Sequence, residues 1–245
     1  MRIILGIFLL FTLLTAKEIE AEYKVSFGLF GSVGKGIAHF DANTSRYHIK
    51  IYGKATGLAK VLSGGREEIY ESFGKIENGI LVPEKFVKIT KTNKKKRIKT
   101  FRFDHEKKEI LITKEGFRRG KFEFETHDKL PYYVRNDLLT LYFNLPTYLQ
   151  ENKKKYVLHA VGGDRKDGRV DIFLPEGKKL QKLKEILKVD GLYLGVVVHQ
   201  KIFASENGEL FVVIDKDGVA KKGLLKDVIM YGDIVGTLTK KSVRD

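Results

Sequence analysis

The 245-residue chain contains no cysteine, no tryptophan and only 4 prolines. Without cysteine it has no disulfide, thiolate zinc site, iron–sulfur cluster or thiol nucleophile. It also has no cysteine to carry a lipid at a processed N-terminus. After the first 16 residues no apolar run approaches the length of a membrane-spanning helix. No Gly-x-Ser-x-Gly elbow, phosphate-cradling loop or dinucleotide fingerprint is present, so no cofactor is assigned. What is there is globular in character: 42% hydrophobic and 31% charged, with 11 Tyr and 16 Phe. The length fits one large β domain or two small ones.

Met1 to Ala16 differ from the rest. Arg2 precedes an apolar stretch from Ile3 to Leu14, followed by Thr15, Ala16 and the charged pair Lys17-Glu18. Twelve residues rising about 1.5 Å each give roughly 18 Å of helix, short of the ~30 Å hydrocarbon layer. This reads as a secretory signal cleaved after Ala16, with Ala21 as a fallback site, and predicts a periplasmic protein with no integral span after cleavage. An uncleaved anchor is the alternative.

The chain carries 46 Lys and Arg against 31 Asp and Glu. Losing Met1–Ala16 removes Arg2 and no acid, so the excess persists. Export argues against nucleic acid as the partner, and points to anionic lipid head groups or acidic envelope polymers. A solvated lysine-rich surface with no specific partner explains the excess equally well.

Short alternating segments dominate. Tyr23, Val25 and Phe27 share a face, as do Tyr47, Ile49 and Ile51. Further strands are predicted over 68–76, 80–90, 96–103, 110–114, 121–125, 156–161, 169–174, 192–203, 209–214 and 228–238. Gly28, Gly31, Gly34 and Gly36 read as a turn, and Asn78-Gly79 as a two-residue hairpin. Leu138, Leu141, Tyr142, Leu145 and Leu149 predict one amphipathic helix, capped by Asn136 or Asp137 and limited or kinked by Pro146. Residues 178–188 fit a helix or a strand. The fold class is mainly β: a large curled antiparallel sheet, half-barrel or barrel-like, with one or two short helices. It forms a single β-rich domain over 17–245, with room for two lobes meeting near 130–152.

Chemistry-bearing clusters are sparse. The six histidines (His39, His48, His105, His127, His159 and His199) are scattered, and no metal site is assigned; His159 and His199 are the pair that strand pairing could bring together. Glu67, Glu68 and Glu71 are the densest acids beside a tyrosine. Alternation puts Glu68 on the opposite face from the other two, and only a cleft would make them catalytic. Gly162–Gly168 and Asp215–Gly218 read as turns because neither has the carboxylate spacing of a calcium loop. Lys91 to Lys99 is an anion-binding patch or a charged hairpin tip that blocks edge-to-edge pairing. No catalytic residue is assigned.

Several segments together carry a family likeness: Tyr23-Lys24-Val25-Ser26-Phe27-Gly28 with Gly34, Tyr70-Glu71-Ser72-Phe73-Gly74, and Gly79 to Phe86 including Pro83. Asp137 to Tyr142, Gly208 to Asp215 and Gly232 to Gly236 continue it. The chain resembles the exported bacterial family called domain of unknown function 3108. That resemblance implies a periplasmic, β-rich protein of uncharacterised activity. It marks Tyr23, Gly28, Gly34, Ser72, Gly74, Pro83, Asp137, Tyr142, Gly208 and Gly232 as structural-motif positions. The chain departs from the family pattern at Lys221-Lys222-Gly223-Leu224-Leu225, where a proline-containing turn is expected.

A large curled sheet must fill its concave side with side chains, a helix or a ligand. The first expectation is therefore a non-enzymatic envelope protein that binds a lipid or other hydrophobic ligand on that face, unless the 137–149 helix plugs it. The alternatives are a scaffold binding an envelope protein or anionic glycan through a sheet edge or basic surface, and a hydrolase.

Overall fold

In the computed structural model, the structure describes residues 16–149, 153–163, 167–197, 209–226 and 233–244. The alternating segments of the first half become eight strands: β1 (Lys17–Phe27), β2 (Ser32–Ala42), β3 (Arg46–Ala55), β4 (Glu67–Glu77), β5 (Ile80–Lys91), β6 (Lys95–Asp104), β7 (Glu109–Arg118) and β8 (Lys121–Lys129). A short helix, α1 (Gly57–Leu62), joins β3 to β4. Asn78 and Gly79 take φ of 52° and 77°, the left-handed pair that a tight hairpin between β4 and β5 demands.

The second half begins with a two-residue strand, β9 (Asn136–Asp137). The helices α2 (Leu138–Phe143) and α3 (Leu145–Tyr148) follow, then β10 (Lys155–Val161) and β11 (Arg169–Phe173). Next come α4 (Gly177–Leu187), β12 (Leu192–Val197), β13 (Glu209–Ile214), β14 (Ala220–Leu225) and β15 (Ile234–Arg244). The single helix expected over 137–149 divides at Asn144, because Pro146 in the first turn of α3 cannot donate to the preceding ladder. Residues 178–188 are helical: Leu183 and Leu187 are buried, and Lys188 closes α4 in the left-handed conformation. Four short helices thus stand among the described residues where one or two were expected.

All fifteen strands form one curled, open sheet. From β1 the order runs through successive neighbours to β8 on one side. On the other side it runs through β15, β14, β13, β12, β11 and β10 to β9. Every pairing is antiparallel except that of β9 with β10. The first and last strands meet in the middle, from Glu18 opposite Arg244 to Phe27 opposite Ile234.

Three differences from the sequence reading have local causes. Gly34 and Gly36 lie inside β2, not in a turn; Gly36 faces Tyr23 across the ladder, where an added Cβ would sit 3.6 Å from the Tyr23 Cβ. The segment expected as a turn at 221–225 is β14, because Leu224 has a buried site to fill. β15 runs from Ile234 to Arg244, past the predicted end at 238, while residues 228–232 of the predicted strand lie outside the described residues.

The inward face of β1–β7 carries one core, with Ile49, Phe86, Phe101 and Ile110 at its centre. α2 and α3 lie against both halves: Leu139 joins that first core, while Leu141 and Leu145 pack with Tyr156, Val170 and Leu194 of the second half. On the other face of β12–β14, α4 presses Leu183 and Leu187 onto Phe211, Val213 and Leu224.

Candidate functional site

Where β4 meets the start of α2, polar groups are enclosed without a solvent path. Asp137 is fully buried and caps α2, its carboxylate accepting from the Leu139 and Thr140 backbone N–H groups at 2.8 and 3.0 Å. The Thr140 hydroxyl accepts from the Asp137 backbone N–H in return. The second carboxylate oxygen accepts from the Ser72 hydroxyl at 2.6 Å, and Ser72 is 3.0 Å from the Tyr47 hydroxyl. Burial lifts the Asp137 carboxyl to about 6 against the pull of these donors. Burial, and then Asp137, drive the Tyr47 hydroxyl strongly upward.

Beside this cluster, Gly74 lets the chain bulge toward β5, since a Cβ there would lie 2.0 Å from the Val82 carbonyl. The Pro83 carbonyl accepts from His105 Nε2 at 2.6 Å, which leaves Nδ1 to accept from the Tyr133 hydroxyl. The Asn144 side chain bonds both backbone groups of Leu81 at 2.9 Å. Ser72, Gly74, Pro83 and Asp137 are therefore brought together, and what they do is seat α2 on the concave face. No described cavity is lined by Ser72 or Asp137.

Tyr23 and Tyr142 lie elsewhere, on the wall of an apolar cavity of about 240 Å³. Its sides are Ile19, Ala38 and Ile51 from the first half, Leu139 and Phe143 from α2, and Val212 from β13. Phe143 stacks on Phe40 with centroids 4.5 Å apart. The Tyr142 hydroxyl donates to the Gly218 carbonyl at 2.8 Å, turning its polar end out of the cavity. Burial and the Asp215 carboxylate push the Tyr23 hydroxyl up to about 12. A groove of about 500 Å³ shares Ile19, Phe40, Tyr142 and Phe143 with this cavity and reaches Lys17 and Lys216. At that end, burial alone would raise Asp215 and lower Lys241; the ion pair between them, at 2.6 Å, reverses both shifts.

The remaining candidates do not assemble. Glu67 and Glu71 point to the convex face, where Glu71 pairs with Lys50 at 2.8 Å. Glu68 points inward. Burial favours its neutral form, but the Tyr70 hydroxyl and Arg66 hold it below the usual carboxylate range. His159 is exposed on β10; His199, Gly208 and Gly232 lie outside the described residues. Gly28 opens a 3-10 turn between β1 and β2 at φ 41°, and Gly34 faces the Lys54 carbonyl. Among the described residues Glu18, Glu20 and His39 offer ligand atoms within 4.8 Å of one another, but Glu18 is held by Arg244. The sequence reading missed Tyr47, Thr140 and Asn144. An Asp-x-x-Thr pattern ahead of an apolar run is a capping-box signal that pointed to Thr140.

The family described as "Protein of unknown function (DUF3108)" matches residues 22–239. Among curated proteins nothing matches. Among solved structures, a crystal structure described as a beta-barrel-like protein of domain of unknown function DUF1849 from Brucella abortus is similar. It aligns with TM-score 0.51 and 8% sequence identity, covering 94% of this chain and 98% of that one. The likeness is one of fold.

Proposed function

The chain belongs to the DUF3108 family, and from that premise we propose that it is a periplasmic, non-enzymatic envelope protein that holds a lipid or other hydrophobic ligand between the halves of its sheet. The observation that carries this reading is the apolar cavity of about 240 Å³ bounded by Ile19, Ala38, Leu139, Phe143 and Val212. It exceeds the roughly 150 Å³ apolar void that stays dry and accepts benzene. With the adjoining groove it reaches the range of about 300–1,000 Å³ typical of small-molecule sites. α2 fills part of the concave side without closing it: the apolar part suits an acyl chain, and Lys17 and Lys216 at the mouth, where Asp215 and Asp217 are already held by Lys241, suit an anionic head group.

Export rests on the sequence of Met1–Ala16, and the strand boundaries choose between its two cleavage sites. β1 starts at Lys17, so cleavage after Ala16 leaves it whole. Cleavage after Ala21 would remove Ile19 and Ala21, both buried, from the sheet.

The test is native mass spectrometry of protein purified from its own periplasm, followed by solvent extraction and lipid analysis, together with binding of N-phenyl-1-naphthylamine. A stoichiometric lipid is expected, and Ala38→Phe, which fills the cavity, is expected to weaken the probe at least about tenfold with the melting transition retained. A lipid-free protein whose probe binding is untouched by Ala38→Phe would sink the reading.

A second reading, a scaffold that recruits another chain, draws on one observation. β8 is an edge strand, paired only to β7 and exposed at every residue, with Phe122 60% exposed. Its lysines and acids also serve the ordinary purpose of discouraging such pairing.

A further inference from the structure

Four connections of the first half lie at one end of the sheet: the turn at Gly28–Gly31, the loop holding α1, the hairpin at Thr92–Lys94 and the hairpin at Arg119–Gly120. Backbone bonds tie them into a continuous rim. The Thr56 N–H donates to the Val33 carbonyl, Asn93 to Gly64, and Arg119 to Lys94, at 2.8–2.9 Å. α1 stands on this rim with no buried residue. Leu58, Val61 and Leu62 are 56, 75 and 79% exposed, and Phe30 in the turn after β1 is 49% exposed. Three large aliphatic side chains this exposed among the described residues, on one and a half turns of helix, form a patch that water disfavours.

The charge around the patch is mostly positive, and Glu68 and Glu123 there are held by Arg66, Arg97 and Arg118. Lys60, Lys94, Lys95, Arg119 and Lys121 are exposed and, among the described residues, have no carboxylate partner. Behind α1, Lys24, Lys35 and Lys54 stand directly opposite one another on β1, β2 and β3. They line a groove of about 630 Å³ that also includes Ser32, whose carbonyl lies against Gly57 at the start of the helix. The carboxylate lining this groove, Glu22, is taken by Lys240. Like charges facing across a ladder destabilise a sheet; Lys54 has Glu67 of β4 opposite it on its other side, which leaves Lys24 and Lys35 as the unbalanced pair.

We propose that this rim is a docking surface for an anionic bilayer: α1 inserts Leu58, Val61 and Leu62 at the level of the head groups, and the Lys24–Lys35–Lys54 row receives lipid phosphates. A soluble polyanion would engage the lysines but has no use for the apolar triplet; a bilayer engages both. Tyr23 lines both this groove and the cavity, but none of the apolar triplet or the three lysines lines the cavity, so the proposal does not depend on what the cavity holds.

Co-sedimentation of the full chain with vesicles tests this, comparing phosphatidylcholine alone against phosphatidylcholine with about one third phosphatidylglycerol. Binding to the anionic vesicles is expected to exceed binding to the neutral ones at least about tenfold and to fall with salt. The variant Leu58→Ser/Val61→Ser/Leu62→Ser and the variant Lys24→Gln/Lys35→Gln/Lys54→Gln are each expected to lose about tenfold or more. Both should keep the circular dichroism and the N-phenyl-1-naphthylamine binding of the parent, since no altered side chain faces the cavity. Absence of binding to anionic vesicles would overturn the proposal. So would anionic binding that survives loss of the apolar triplet, which would assign the lysines to a soluble acidic polymer.

Discussion

Two opposing influences act on the charge of a carboxyl group that has no exposed surface and three hydrogen-bond donors aimed at it. At Asp137 burial outweighs the donors and lifts the group to about 6 from an ordinary 3.8. The folded chain then holds its proton more tightly than the unfolded chain. This group's contribution is therefore complete below about pH 4 and is lost as pH rises through 6, with a span on the order of 3 kcal/mol. Asp137→Asn keeps an oxygen for the Leu139 and Thr140 N–H groups and can donate to Ser72. It is expected to gain stability relative to the parent between pH 4 and pH 7, as read from urea unfolding at several pH values. A parent that gains on the Asn variant over that interval would contradict the assignment. Asp137→Ala, which strips the cap and strands the Ser72 hydroxyl, is expected to cost about 2–4 kcal/mol near pH 4, and less as pH rises through 6.

Among the elements, α4 is bound to its sheet by a narrow stripe. Leu187→Ala is expected to cost about 2–5 kcal/mol by chemical denaturation, and Ile186→Ala, one residue away and 41% exposed, under about 1 kcal/mol. Equal losses would mean that the helix does not pack as described. α4 also marks where the sequence stops being legible. Leu180, Leu183, Ile186 and Leu187 show the helical period, yet over so short a stretch they also pass for a buried strand, and only the partners Phe211 and Leu224 decide. The strands from β1 to β7 could be read because each keeps one face in the core and ends in a turn residue with a physical reason to be there, whereas β8, exposed throughout, showed only through the alternation of Phe122 and Phe124. α1 left no signal: Gly-Leu-Ala-Lys-Val-Leu buries nothing, so no core-facing stripe exists to detect. β14 was hidden by its two lysines and its glycine. Ser72 and Asp137 stood out in the family likeness, but their bond joins residues 65 apart in the chain, and no local pattern encodes that.

Across the whole molecule, the two halves share a seam in which β15 lies between β1 and β14. Removing Ile234–Asp245 would bare both of those strands along the middle of the sheet. The truncated chain is expected to lose its cooperative melting transition, as followed by circular dichroism, where loss of an outer strand such as β8 would be survivable. A sharp transition in the truncated chain would show that each half stands alone. The same seam governs how the protein reaches its fold. Ser26 finds Val235 only after more than two hundred intervening residues have been made. The hairpins from β2 to β8 can zip locally and early, but β1 keeps one edge open until β15 has been made. High contact order of this kind slows folding to the millisecond-to-second range and prolongs the interval in which that edge can capture a neighbouring chain. Until β15 arrives the chain offers β1 as a landing place for a chaperone or a misplaced strand, and once it arrives that place is gone.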